Sequence, residues 1–246
     1  MGIMLTGGRL HMNNESNKTN DIRQIYNEYE TNEGFLERWH GENPGNKAIL
    51  NERIHTIRKM LEEYGYHDLK NLRILDLGCG RGIELARLSE WGARPENLHG
   101  VDILQHRIDH ARHLYPKLTF SCQDASNLSY SDEEFDLITM FTIMSSILDD
   151  EVRIKVAREA SRVLKPGGAI IWYDNRYDNP RNPHTRKISK RSLQNYFPDF
   201  DIHAQSITVL PPIVRRLGKA TKLIYPVLGR FGCLRTHYLA IIKKRP

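Results

Sequence analysis

The ten residues Arg73-Ile74-Leu75-Asp76-Leu77-Gly78-Cys79-Gly80-Arg81-Gly82 constrain the fold more than any other stretch. Arg73 to Leu77 reads as a buried strand, a short apolar run with one acid near its end. Three glycines follow at alternate positions. Ile83, Leu85, Leu88 and Trp91 then mark the apolar face of a helix that Gly92 stops. A strand that turns through glycine into a helix makes a small-ligand site: no Cβ blocks the backbone, and the helix start offers free N–H groups. A phosphate-binding loop would need Lys-Ser/Thr after the last glycine, where Ile83-Glu84 stands. A dinucleotide fold would need G-x-G-x-x-G/A, and Ile83 occupies the third small position. The pattern left is D-x-G-x-G-x-G.

The 246 residues allow one large α/β domain with additions, and 39% hydrophobic against 27% charged residues suits a globular chain. No apolar run reaches the ~18–20 residues of a membrane span, and no signal peptide opens the chain. Cys79, Cys122 and Cys233 form neither metal-ligand spacing nor a disulfide framework, so no metal and a cytoplasmic location are expected. The +6 net charge is uneven: Arg176 to Pro246 holds 15 Lys or Arg against 3 Asp or Glu. The C-terminal third therefore meets an anionic partner or is simply a solvated face.

Met1 to Met12 resembles a cloning remnant, and residues 1–20 are set apart from the fold as disordered. Residues 21–70 read as a helical N-terminal lid, with a first helix over Asp21 to Trp39. A second follows the turn Asn43-Pro44-Gly45-Asn46, with Asn46 as its cap and Leu50, Ile54, Ile57, Leu61 and Tyr64 as its buried stripe. Arg53 falls off that stripe and is expected in solvent. From residue 71 to 246 strands and helices alternate. Further strands are expected at Leu98 to Asp102, Leu118 to Cys122, Phe135 to Phe141 and Ala169 to Tyr173, giving a parallel sheet with helices on both faces. Lys165-Pro166-Gly167-Gly168 should terminate the helix before the fifth strand. A sixth strand is expected at Asp201 to Leu210 and a seventh at Arg235 to Lys243. Between them, Pro211 to Cys233 reads as an inserted basic amphipathic helix. Its apolar stripe is Ile213, Leu217, Ala220, Ile224 and Val227.

Four features taken together resemble the class I S-adenosylmethionine (SAM)-dependent methyltransferases: the glycine turn, Asp102 ending the second strand, Gln123-Asp124-Ala125 after the third, and Leu164-Lys165-Pro166-Gly167-Gly168 before the fifth. The resemblance covers about Asn71 to Asp174. It implies a Rossmann-like, mostly parallel seven-stranded sheet with an antiparallel last strand, and SAM as cofactor. It implies a cofactor site of Asp76, Gly78, Cys79, Gly80, Asp102, Ile103, Asp124, Ala125 and Phe141. Asp102 would take the ribose hydroxyls and Asp124 the adenine amino group. Tyr26 or Tyr29 would face the cofactor from the lid. Asn43 to Asn46, Tyr173 to His184 and Arg235 to Leu239 are similar to a bacterial subgroup presumed to methylate sugars, polysaccharide precursors or natural products.

The expected activity is therefore O-methylation of a small or glycan-like acceptor, anionic or carrier-linked, with a peptide's terminal carboxylate or amine as the alternative. A catalytically silent SAM-binding protein and an NAD-dependent oxidoreductase are the other readings, the latter disfavoured by Ile83. No metal-binding cluster follows the fourth strand, which argues against metal-dependent catechol chemistry, and no N-P-P-Y or Pro-Cys nucleobase motif lies near Phe141, so no nucleic-acid substrate is expected. A membrane surface is a lesser alternative. A hydroxyl acceptor needs a base, and His184, Asp174 and His237 are the candidates. A carboxylate acceptor needs only positioning, for which Arg176 and Arg181 are candidates.

Overall fold

A computed structural model describes residues 41–245; the Asp21–Trp39 helix, Tyr26 and Tyr29 lie outside the described residues. The first described helix, α1, runs Pro44–Glu63. Asn43, not Asn46, caps it: its side chain accepts from the N–H groups of Gly45 and Asn46. Pro44 suits the first helical position, where its fixed φ fits and its missing N–H is not needed. The helix therefore starts earlier than Asn46 would allow. Gly65, at φ 88°, follows its C-terminal end.

The sheet strands are β1 (Ile74–Leu77), β2 (Leu98–Asp102), β3 (Thr119–Cys122), β4 (Phe135–Phe141), β5 (Leu164–Asn175), β6 (Phe200–Val209) and β7 (Arg235–Lys244). Their order is β3-β2-β1-β4-β5-β7-β6. Only β7 runs antiparallel to its neighbours, β5 and β6. The helices between strands are α2 (Ile83–Glu90), α3 (Gln105–Leu114), α4 (Ile143–Ser146), α5 (Asp150–Val163) and α6 (Lys190–Tyr196). Two apolar layers cover the two faces of the sheet. One is built on Leu75, Met140, Ile170 and Trp172. The other is built on Ile74, Leu137, Ile171 and Ile241. The fold is the expected Rossmann-like α/β sheet. Strand order reverses between β1 and β4, so the ligand crevice of such a sheet opens at their carboxyl ends.

Three local expectations are corrected. β5 begins at Leu164, which pairs with Phe135, so Lys165-Pro166-Gly167-Gly168 belongs to the strand; the register shifts before Ala169 pairs with Leu137. The buried stripe of α1 is Gly45, Ile49, Ile57, Met60 and Leu61. Its phase is one residue off the expected stripe in the first turns, and Arg53 sits in line with Ile49 and Ile57. The insertion is not one helix. It is broken into α7 (Pro211–Val214), a 3-10 turn (Gly218–Ala220), α8 (Thr221–Leu228) and a second 3-10 turn (Gly232–Leu234). Gly218, at φ 51°, lies outside helical geometry and resets the phase. Val214, Thr221 and Tyr225 are therefore buried, while Ile213, Ile224 and Val227 are exposed.

The insertion packs on α1 at a point only glycine permits: a Cβ on Gly45 would lie 2.5 Å from the Val214 carbonyl oxygen. Among the described residues no helix is long and apolar enough to cross a membrane.

Candidate functional site

The glycine turn is built at the carboxyl end of β1. Gly78, Gly80 and Gly82 have φ of 73°, 53° and 81°, a region side chains other than glycine rarely adopt. The N–H groups of Gly78 and Cys79 both donate to the Val101 carbonyl, at 2.8 and 2.9 Å. Asp102 completes the stitching. Its Oδ2 accepts from Gly80 N–H at 3.0 Å and its Oδ1 from Leu104 N–H at 2.9 Å. Each carboxylate oxygen keeps a second lone pair for another donor. A Cβ on Gly80 would meet nothing within 4 Å, so this side of the turn is open. Gly82 is different: a Cβ there would lie 2.6 Å from the Phe120 ring, and the turn packs against the β3 side chain.

Asp76 is buried under the turn. Burial pushes its carboxyl up to about 7, against the opposing hydrogen bond from Thr139 Oγ1 at 2.6 Å. A buried carboxylate in that state is stabilised by any cation brought near. Asp124, at the end of β3, accepts on Oδ1 from both the N–H and hydroxyl of Ser126. Ile103 and Ala125 are half-buried beside Asp102 and Asp124. Cys79 is buried, and burial raises its thiol pKa, so it is no nucleophile. The turn fits a small ligand with hydroxyl and cationic groups, as SAM is.

Across the crevice, β4 ends at Phe141. Thr142 follows with φ 56°, strained for a β-branched residue, its N–H held by the Tyr173 carbonyl at 2.7 Å. Arg53 lies over this end of the sheet. Its guanidinium carbon is 5.4 Å from the Phe141 ring centre and 5.2 Å from that of Tyr173. It donates to Glu84 at the start of α2. Its buried Nε has no hydrogen-bond partner among the described residues. The sequence reading missed Arg53 by placing it in solvent; the Ile49–Arg53–Ile57 spacing of four was the available signal.

Glu52 anchors the same helix. It accepts from Thr208 N–H at 2.8 Å and Tyr225 hydroxyl at 2.6 Å, and Arg235 lies 3.4 Å away. Thr208, at φ 67°, is the strained point of β6 and bonds the Tyr173 hydroxyl at 2.9 Å. These contacts fix α1, and so Arg53, to β5, β6, β7 and the insertion.

The candidate bases are brought to different places. Asp174 is fully buried and accepts from Ser145 N–H at 3.0 Å and Asn175 N–H at 2.8 Å. Burial pushes it up to about 6. It pins α4 to the end of β5. His237 stacks on Tyr173 with ring centres 4.7 Å apart and bonds Thr236 through Nδ1. Burial, and then the Arg53 charge, lower it to about 3. His184 lies in the loop after β5, its N–H on Asn182 Oδ1.

Neither candidate arginine joins the crevice through these contacts. Arg176 donates to the Gly232 and Arg235 carbonyls at 2.7 and 3.4 Å, tying β5 to the insertion's end. Arg181 is exposed in the loop, its N–H bonded to Asn179. Among the described residues no group of His, Cys, Asp or Glu could hold a metal ion.

A methyltransferase-domain family model matches residues 74–168. The chain is similar to the ubiquinone biosynthesis O-methyltransferase of Coxiella burnetii, at 30% identity over 53% of this chain and 54% of that protein. It thus spans about half that relative's length. In three dimensions it is similar to a SAM-dependent methyltransferase from Mesorhizobium loti, with a TM-score of 0.58 at 18% identity over 76% of this chain and 96% of that one. The longest of these sequence matches is to the fatty-acid O-methyltransferase of Mycolicibacterium smegmatis, 30% identical over 221 residues, 83% of this chain and 77% of that protein. Taken with the domain match at the glycine turn, that extent places the chain in the class I SAM-dependent methyltransferases.

Proposed function

We propose that this methyltransferase O-methylates a carboxylate on a small, largely apolar acceptor. The observation that carries this reading is Arg53, a partly buried cation laid on two aromatic rings with an N–H to spare. A planar guanidinium is the side chain best matched to a carboxylate, and aromatic rings beside it suit an apolar body. A carboxylate also removes the need for a base. A hydroxyl must lose a proton; of the candidate bases His237 is too weakly basic to take one and Asp174 is already engaged by two N–H groups, which leaves only His184 in the loop after β5. The smegmatis relative, named for fatty-acid O-methylation, points the same way. A peptide's terminal carboxylate satisfies the same chemistry, while a sugar hydroxyl would need His184 or another base.

The cofactor roles rest on the family's pattern, with these residues gathered around the glycine turn. The glycine turn would cradle the cofactor, Asp102 would take its ribose and Asp124 its adenine. Ile103, Ala125 and Phe141 would line it. When bound, SAM supplies a methyl group on a sulfonium, a good leaving group that needs no acid. The chain's task is then to align the acceptor oxygen, exclude water and hold charge in place. Methyl uptake from labelled SAM, measured across aliphatic acids, aromatic acids, peptides and sugars, is expected only with free carboxylates. Transfer to sugar hydroxyls alone, or to nucleic acid alone, would overturn the reading.

Asp76 makes cofactor binding pH-dependent. Its folded pKa is raised to about 7, so it is largely protonated below that value and ionised above it. A cationic cofactor prefers the ionised form. SAM affinity is therefore expected to rise as pH increases from about 6 to about 8, by up to about tenfold per unit below the pKa. Calorimetry of Asp76→Asn should show that dependence flattened. An unchanged pH profile in the variant would remove Asp76 from the cofactor's surroundings.

A further inference from the structure

Half of the large exposed apolar side chains among the described residues lie in one short stretch of the insertion. Ile213, Leu223, Ile224, Val227 and Phe231 are 39, 78, 36, 51 and 56% exposed. The geometry of α8 explains why. Thr221 and Tyr225 face the protein, and the Tyr225 hydroxyl donates to Glu52. Leu223 and Val227 stand two residues to either side of Tyr225, about 200° around the helix, and so point directly outward. Burial against the other described residues is not what they serve.

Charge narrows the partner. Arg216, Lys219, Lys222 and Arg230 are exposed in the same stretch. No Asp or Glu occurs after Asp201, while nine Lys or Arg do. A second copy docking through this face would set cations against cations. A nucleic acid would use the cations and leave Leu223, Val227 and Phe231 in water. An apolar apex flanked by cations fits an anionic lipid surface, where the tips enter the acyl boundary and the charges meet the headgroups. We infer that the insertion, Pro211 to Leu234, docks this enzyme on anionic membrane.

The position suits that role. Tyr225 holds Glu52, the residue next to Arg53 on α1. The docked helix therefore lies against the helix that carries the acceptor's anchor. The docking itself does not depend on the acceptor reading, and the two fail separately.

The test is co-sedimentation of the full chain with phosphatidylcholine vesicles, with and without phosphatidylglycerol, at low and high salt. Binding is expected only with phosphatidylglycerol and should weaken as salt rises. The outward pair Leu223→Glu with Val227→Glu should lose at least about tenfold in vesicle affinity. The same pair should keep its circular dichroism and its turnover of a water-soluble acid. A second variant, Lys219→Gln with Lys222→Gln, should lose mainly the salt-sensitive part. Absence of binding at low salt, or binding untouched by the Leu223 and Val227 changes, overturns the inference. So does a dimer in solution that the same pair converts to monomer, since a second copy would then cover the face. Vesicle binding without methyl transfer to any carboxylic acid would keep the docking surface and remove the acceptor reading.

Discussion

Asp102→Ala is expected to weaken SAM binding by about ten- to one-hundredfold, read by calorimetry. In the proposed site the carboxylate's second lone pairs would accept from the ribose hydroxyls, and a hydrogen bond to a charged group is worth ~1.5–3 kcal/mol. The same change frees the N–H groups of Gly80 and Leu104, which now donate to its two oxygens. Part of the loss will thus come from a looser turn, and a lowered Tm should accompany it. Asp102→Asn separates the two effects. Its amide keeps an acceptor for one backbone N–H but gives up the charge, so Tm should recover more than affinity does. Affinity within about twofold of the parent in the Ala variant would mean that Asp102 only braces the turn.

The sheet was legible because its signals are local. Strands such as Leu98 to Asp102 and Phe135 to Phe141 are short, largely buried segments bounded by polar turns, and they end where the residues say they end. The glycine turn was legible for the same reason: alternate glycines after a buried strand leave few backbone solutions. Arg53 was not. Its position is set by the phase of α1, and Gly45 and Ile49, with Arg53 itself, define a face that Leu50 and Ile54 disguise. A charged residue on a buried face looks like an interruption until the rings of Phe141 and Tyr173, from distant strands, are brought beneath it. The insertion failed for a related reason. A period of 3.6 carried through Gly218 gives one continuous stripe, but the glycine leaves helical geometry and the stripe turns outward. Arg176 was judged by its place at the strand end, yet its partners, the Gly232 and Arg235 carbonyls, lie more than fifty residues away.

The second large effect is expected at Arg53. Arg53→Met keeps an unbranched apolar stem to lie on Phe141 and Tyr173 but removes the fork of donors. If Arg53 holds the acceptor carboxylate, kcat/KM for that acceptor should fall by about thirty- to one-thousandfold. That corresponds to the ~2–4 kcal/mol lost when one member of a desolvated, hydrogen-bonded charge pair is truncated. SAM affinity should stay within about threefold. Arg53→Lys restores charge without the planar fork and should recover only part of the loss, since one ammonium cannot make two parallel bonds. Stability must be followed in parallel, because Glu84 loses a partner and keeps only Arg87 from its present pair. Both ion pairs retain some solvent contact, so screening keeps that cost small. The decisive comparison is between ligands. A loss confined to the acceptor places Arg53 on the methyl-accepting carboxylate. An equal loss of SAM affinity in Arg53→Met would instead put it on the carboxylate of the cofactor's methionine portion. The carboxylate-acceptor reading would then lose the observation that carries it.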